Sequence, residues 1–422
     1  MVVNLNDRDV ARLAGDEGPS VALAMRVVTR AAQAMEADGL LDVVGAHIDS
    51  CLYLGPAVLD FADRLAEGGV QVAVPTTLNV SSLDLLHPEL YRGDPETAGL
   101  ARRLMKCFEE MGCHPTWTCA PYQLETRPSF GEHVAWAESN AIVFANSVLG
   151  ARTHRYGDFI DICCAITGRA PAAGLHLDAN RRATVLVHLD GVSDELLNQD
   201  VLYPVLGGLL GPLVGKAVPA ITGLPAGVGE DRLKAMGAAA ATTGSVGMFH
   251  IVGSTPEAPT LEVALGDRSP DAEFRIGPED LRLARDRLST TSDDRLRTVS
   301  LGTPHYSVAE FDHLLEVLGN RRVHPDVAVY ASTGRDILCE IQLRGWVERL
   351  ASAGVQVVTD TCTYITPIIE DTAGTTMTDS AKWAYYAPGN LGVEVVFGST
   401  EDCVESAVIG RVVRDEEIWT RA

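Results

Sequence analysis

The chain is poor in lysine. Only four of its 34 basic residues are Lys (Lys106, Lys216, Lys234 and Lys382), and they stand against 57 acidic residues for a formal net charge of −23. Nucleic acid and anionic membranes both require a basic surface, so the composition excludes them as partners; an acidic surface keeps the protein soluble. No run of about 18 apolar residues occurs, so no membrane span is expected. The opening MVVNLNDRDVARLAGDE lacks the basic region and apolar stretch of a secretory signal, which makes the cytoplasm the expected compartment. There the nine cysteines are expected as reduced thiols, available for packing, metal binding or catalysis. The sequence has no C-x-x-C, no His pair at zinc spacing and no H-E-x-x-H, which argues against structural zinc. The glycine-rich LGGLLGPLVGK (206–216) matches neither the dinucleotide nor the phosphate-loop pattern, which disfavours an NAD-dependent enzyme.

The chain does contain ample apolar material: 46% hydrophobic residues over 422 positions can bury a large core without staples. Residues 1–40 read as helical, with VALAMRVVTRAAQAMEA at helical spacing. Helix-like and strand-like segments then alternate. The strands are expected at 71–75, 114–119, 141–146, 183–189, 248–253, 297–302, 327–332, 355–362 and 393–398. Alternation of this kind predicts an α/β protein with parallel sheets covered by helices. Residues 297–400 read as a doubly wound βαβαβ unit. The Pro-, Gly- and acid-rich 255–280 reads as a linker, dividing an N-terminal α/β region (1–280, with room for two subdomains) from a C-terminal unit (281–422).

Open parallel sheets bind ligands outside the carboxyl ends of their strands. Two expected strand exits, TWTCAPY and TDTCTYITP, carry a cysteine at the same place, Cys119 and Cys362. Each is either a small buried hydrophobe or a thiolate facing the crevice. The adjacent Cys163 and Cys164 point about 100° apart on a helix, so that one could ligate while the other packs. Three scattered cysteines suit an iron–sulfur centre with an open iron position. The remaining five cysteines read as core. Between them, 136–164 is dense in polar residues: Glu138, Ser139 and Asn140, then Asn146 and Ser147, then Arg152, Thr153 and Arg155. These are cap and turn formers, while arginines after a strand exit also suit a bidentate grip on a carboxylate. Ser380 and the scarce Lys382 read either as a helix cap and a surface lysine or as part of an anion site. His47, Thr76 and Thr77 are further candidates for pocket lining.

The stretches AHIDSCLYLG, VPTTLNV, TCAPYQLETRPSFGEHVAWAESNAIVFANSVLGARTHRYGDFIDICCAITGRAP, DTCTYITP and MTDSAKWAYYAPGNLG resemble those of the aconitase X family, large-subunit type. The resemblance spans residues 46–392. It implies an aconitase-like fold of several α/β/α layered domains around a central cleft, with the swivel domain absent from this chain and supplied by a small second subunit. It also implies a hydro-lyase acting on a small carboxylated hydroxy compound, namely cis-3-hydroxy-L-proline, or in the other branch of the family phosphomevalonate. An iron–sulfur cluster or mononuclear iron is implied on Cys119, Cys163 and Cys362. Ser139, Asn140 and Lys382 are the implied catalytic residues, and His47, Thr76, Thr77, Glu138, Asn146, Arg152, Thr153 and Ser380 the implied substrate contacts. A reading of another class, a non-catalytic iron–sulfur protein, predicts a bound cluster without turnover.

Overall fold

The computed structural model describes residues 3–266 and 268–420, and the chain forms two compact units. The first comprises residues 1–83 and 94–182; the second comprises 84–93 and 183–422. The chain therefore passes into the second unit twice. The short insertion 84–93 is tied there through Asp84, whose carboxylate accepts from Thr359 N at 2.9 Å, and through Arg92, which donates to the Ile368 carbonyl at 3.2 Å. The border expected near 280 falls inside the helix Pro278–Asp286.

The first unit opens with the helices Asp7–Ala14 and Pro19–Ala34. The second of these buries Val21, Met25, Val28 and Ala32, the helical stripe visible in the sequence. Besides an antiparallel pair, Leu40–Asp42 with Arg169–Pro171, the unit has a small parallel sheet: β1 (Ala46–Ile48), β2 (Thr76–Leu78) and β3 (Ala135–Trp136), in the order β2-β1-β3. Three expected strands are absent. Val70–Pro75 bends at Ala73 and Val74 and makes only isolated bonds, Val72 N to Met111 O and Ala73 N to Ala165 O, and Pro75 has no N–H to give. His114–Cys119 lies along β2, yet Pro115 and the left-handed Trp117 (φ 44°) reduce the pairing to a single bridge at His114. The run at 141–146 is helical. Glu138 caps a helix Ser139–Phe144 that continues as a π-turn over Ala145–Leu149. Because this segment is buried on every side, it shows no polar alternation that would separate helix from strand.

The second unit holds two parallel sheets. One contains β4 (Val185–Leu189), β5 (Pro219–Thr222), β6 (His250–Ile251) and β7 (Ala272–Ile276), in the order β6-β5-β4-β7. The segment expected as a linker therefore contributes β7, paired along its whole length with β4, and a helix, Leu261–Leu265; Asp267 within it lies outside the described residues. The glycine-rich stretch forms the helix Leu202–Val214. Its glycines let it press against the helix Glu230–Thr243: a Cβ on Gly207 would stand 2.1 Å from the Met236 carbonyl oxygen. The other sheet contains β8 (Leu296–Leu301), β9 (Ala328–Thr333), β10 (Val355–Thr359), β11 (Thr375–Thr378) and β12 (Glu394–Phe397). Its order is β10-β9-β8-β11-β12, all parallel, so the doubly wound reading of 297–400 is correct. Among the described residues, no helix is long and apolar enough to cross a membrane.

Candidate active site

In the first unit the exit of β1 is held from below by Asp161, in the first turn of the helix Ile160–Thr167. Its buried carboxylate accepts from Asp49 N at 2.8 Å, Ser50 N at 3.1 Å and Ser50 Oγ at 2.9 Å. Burial raises its pKa to about 6 against the pull of those donors. From there a line of polar groups runs towards Cys119. Asp49 accepts from Asn79 Nδ2, which also donates to Glu138 Oε2 at 3.1 Å. Glu138 Oε1 accepts from Asn140 Nδ2 at 2.7 Å, and Asn140 Nδ2 donates to the Cys119 carbonyl at 3.0 Å. The Tyr122 hydroxyl fixes the other end of that amide at 2.8 Å. Ser139 Oγ lies 3.4 Å from Glu138 Oε1. Burial, then the charges of Glu138 and Asp158, push the Asp49 pKa well up.

His47 faces Thr77 across β1 and β2, Nδ1 to Oγ1 at 2.8 Å. Burial lowers its pKa to about 3, so the imidazole is neutral near pH 7. Thr76 is buried and donates to the Val74 carbonyl. Asn146 and Thr153 clamp one another: Asn146 Nδ2 donates to Thr153 O at 3.0 Å and Thr153 N to Asn146 Oδ1 at 3.1 Å. Both side chains are buried. Arg152 is ion-paired with the exposed Asp178. Cys163 and Cys164 are both buried, and burial raises both thiols, so each ionises only with help from a cation or a metal.

In the second unit the strand order reverses between β8 and β11, the switch point at which an open sheet leaves a crevice. Gly302 makes the turn out of β8 at φ +82°, where a Cβ would lie 2.2 Å from the Ser332 carbonyl oxygen. The loop that follows sends Thr303, Pro304 and Tyr306 to one cavity and His305 elsewhere. His305 Nε2 donates to the Thr361 carbonyl at 3.1 Å, and the ligand atoms of His305 and Cys362 lie within 4.8 Å of each other. Buried hydroxyls surround Cys362: Ser300 to Thr363 at 2.6 Å, Thr361 to Thr366, and Trp383 Nε1 to Thr363 at 2.9 Å. A buried thiol beside an imidazole is a donor set that fits iron or an iron–sulfur group.

The cavity on the other side of the loop measures about 340 Å³ and is lined by Lys234, Tyr306, Glu310, Asp379, Ser380 and Lys382, among others. Lys382 is buried in the first turn of the helix Ala381–Leu391 and is therefore not a surface lysine. Ser380 caps that helix, accepting from Trp383 N at 3.1 Å while donating to the Thr303 carbonyl. The Tyr306 hydroxyl donates to Asp379, whose pKa burial raises. Lys234 is neutralised by Asp231 at 2.9 Å and by Glu310.

Sequence reasoning thus singled out residues in both units but missed Asp49, Asn79 and Asp161 in the first and His305 in the second. His305 had a signal, being one of only eleven histidines and lying three residues beyond the expected strand 297–302. Cys119 follows a run that pairs only through the bridge at His114 and turns left-handed at Trp117, whereas Cys362 follows the strand β10. Cys339, read as core, is exposed.

Comparison with known proteins covers nearly the whole chain. The model of the aconitase X first domain matches residues 2–179, that of the second domain 183–286 and that of the third 296–409. A cis-3-hydroxy-L-proline dehydratase of Pseudomonas aeruginosa is 46% identical over 97% of this chain and 71% of its own length. A phosphomevalonate dehydratase large subunit of Methanothermobacter thermautotrophicus is 34% identical over 91% of this chain and 93% of its own. The crystal structure of the holo-form of Thermococcus kodakaraensis aconitase X superposes with a TM-score of 0.86 at 29% identity, covering 96% of this chain and 100% of the other.

Proposed function

The chain belongs to the aconitase X family and is a hydro-lyase, and we propose that it dehydrates cis-3-hydroxy-L-proline to 1-pyrroline-2-carboxylate as the large catalytic subunit of a cytoplasmic enzyme. The observation that carries the substrate is the 46% identity over 97% of the chain to a dehydratase of that compound, against 34% to a phosphomevalonate dehydratase subunit. The second relative is named a large subunit and is matched over 93% of its length, which supports a small swivel-domain subunit as partner. A chain with nine cysteines and no sequence framework of disulfides accords with a reducing compartment.

The reaction takes a proton from Cα and expels the C3 hydroxyl as water; the resulting enamine tautomerises to the cyclic imine. Bound iron, mononuclear or in an iron–sulfur cluster, supplies Lewis acidity that makes hydroxide a better leaving group. His305 and Cys362 would hold such a group in the second unit, and Cys119 and Cys163 are candidate ligands in the first. Lys382, with Ser380 beside it, is assigned the substrate carboxylate and the enolate-like charge that grows as the α-proton leaves. Ser139 and Glu138 offer a hydroxyl–carboxylate pair for proton handling, positioned by Asn140. Arg152, occupied by an exposed aspartate, would have to exchange that partner to bind substrate.

The test is anaerobic co-purification with the small subunit, followed by assay of both cis-3-hydroxy-L-proline and phosphomevalonate, with iron measured in Cys119→Ser, Cys163→Ser, Cys164→Ser and Cys362→Ser taken singly. Hydroxyproline dehydration with loss of iron in Cys362→Ser is expected. Turnover of phosphomevalonate alone would transfer the chain to the other branch, and a stoichiometric iron content in Cys362→Ser would remove that ligand.

A further inference from the structure

The turn that delivers Cys362 is built on two buried carboxylates of the second unit. β10 ends at Thr359, and Asp360 follows in the left-handed region at φ 63°. Glycine enters that region freely and asparagine as readily as aspartate, so the turn by itself needs no charge. Yet the Asp360 carboxylate is fully buried and gripped on both oxygens: Arg335 donates from Nε to Oδ1 at 2.6 Å and from Nη2 to Oδ2 at 2.7 Å. Arg335 opens the helix Arg335–Leu343 just beyond the exit of β9, so this fork ties two neighbouring strand exits together. Oδ2 also accepts from Leu85 N at 3.2 Å. The second carboxylate, Asp84, returns the contact. It accepts from Thr359 N at 2.9 Å and Thr359 Oγ1 at 3.2 Å, and its own turn is closed by Leu86 N at 2.9 Å and His87 N at 2.8 Å. The insertion therefore clasps the chain on both residues that precede Thr361. What this clasp holds is the reference point of both candidate ligands in the unit. The Thr361 carbonyl accepts from His305 Nε2 at 3.1 Å. Cys362 comes next, and its carbonyl accepts from Ile365 N and Thr366 N, both at 3.1 Å. A rotation of the backbone at Asp360 would carry Thr361 and Cys362 with it and withdraw the anchor of His305.

We propose that Asp360, locked by Arg335 and by the 84–87 clasp, is a positioning residue for the metal: it aims the Cys362 thiolate and the His305 ring at one point. This deepens the dehydratase reading and rests on its assignment of Cys362 as an iron ligand. A metal accepts displacements of its donors of only about 0.2 Å, a tighter tolerance than a loop held by backbone bonds alone provides. The lock has to join a carboxylate to a guanidinium, because both oxygens are held in fixed directions and a single point charge fixes neither. It also accounts for the chain entering the second unit early, since residues 84–87 supply the remaining donors and acceptors of the turn.

The experiment uses the full chain with its small subunit, loaded with iron under anaerobic conditions. It follows bound iron, the rate of iron transfer to a ferrous chelator, and the visible circular dichroism of the thiolate-to-iron bands. Asp360→Asn keeps the shape and the left-handed tolerance but loses the fork; it should release iron at least about tenfold faster and shift the dichroism. Arg335 is 33% exposed, so Arg335→Lys, which keeps the charge and loses the fork, is the variant to read where Asp360→Asn does not fold. It should release iron about threefold faster. Gly354→Ala forces a side chain into a left-handed position (φ +95°) at the opposite end of β10 and controls for lost stability. Its iron should leave at the wild-type rate with the wild-type spectrum. Wild-type kinetics and spectrum in both Asp360→Asn and Arg335→Lys, or the same change in Gly354→Ala, would overturn the proposal. Cys362→Ser separates the two readings. Iron retained there rejects the ligand, and the positioning role falls with it; iron lost there while Asp360→Asn behaves as the wild type rejects the positioning role alone.

Discussion

Replacing Lys234 by Met tests the electrostatic construction of the second unit. The Lys234 side chain is 2% exposed, paired with Asp231 at 2.9 Å and with Glu310, and within 3.4 Å of the His305 carbonyl. Burial alone would lower its pKa, but the charges of Glu310 and Asp231 outweigh that and raise it to about 12. Met keeps the apolar stem and removes the charge, leaving two carboxylates without their cation. Breaking a buried pair in this way costs about 3–5 kcal/mol. For a unit of about 250 residues this corresponds to a fall in Tm of about 6–20 °C. The sign of the pH dependence is also determined. Burial raises the Glu310 pKa to about 7, so between its ordinary value and 7 the folded state holds a proton that the unfolded state does not. Stability therefore declines as pH rises through that window and levels off above it. Without Lys234 the folded pKa rises further, and the decline continues above 7 by up to about 1.4 kcal/mol per pH unit. The penalty should accordingly be larger at pH 8.5 than at pH 6. Urea denaturation of both proteins at the two values measures it. A difference below about 1 kcal/mol, or one that is the same at both pH values, would refute the reasoning.

Three further outcomes are expected. The hydrogen bond to Glu401 raises the His313 pKa, and the same bond lowers that of Glu401 to about 2; the histidine's share is complete below its ordinary value and lost as pH rises through the raised one, while the glutamate's is lost as pH falls towards 2. Because both side chains are more than a third exposed, His313→Gln should cost only about 0.2–1 kcal/mol near pH 5.5, and the cost should shrink as pH rises through the histidine's raised pKa, as read by thermal melts. Gly207→Ala places a Cβ 2.1 Å from a backbone oxygen of the neighbouring helix and should destabilise by about 3 kcal/mol; Gly99→Ala, in the exposed face of the helix Pro95–Glu110 with nothing within 4 Å, should instead stabilise by about 0.5–1 kcal/mol. Asp161→Ala leaves the Asp49 and Ser50 amides without their acceptor and should cost about 2–4 kcal/mol in urea titrations; a loss under 0.5 kcal/mol would mean that β1 holds its exit unaided.

The five-stranded sheet was legible because β8, β9 and β10 are five or six residues long and β-branched, and helices with clear stripes separate them. In the first unit the strands are two or three residues long, below the length at which a period of two can be recognised. Its apolar runs are buried on all faces, so 141–146 carried the composition of a strand and the capping of a helix, and the cap at Glu138 decides the outcome. The segment 255–280 failed differently: turn residues at both ends of a short helix and an edge strand gave it the composition of a linker, while β7 gains its stability from pairing with β4, which is close only in the fold.

The same distinction governs the site. Lysine scarcity was a usable signal because it is a property of the whole chain: a protein with a net charge of −23 holds a cation out of water only where an anion, resident or transient, stabilises it. Lys106 and Lys216 are exposed, whereas Lys234 and Lys382 are buried and line one cavity. Lys234 is matched by two carboxylates of its own unit, which makes it a structural cation. Asp49 and Asn79 had no such signal. Aspartates and asparagines are common in turns, and in the sequence these two are 30 residues apart. Their value comes from the parallel pairing of β1 with β2, which brings the two strand exits side by side and sets an amide between carboxylates. The line of polar groups that results is a property of that arrangement and of no single residue.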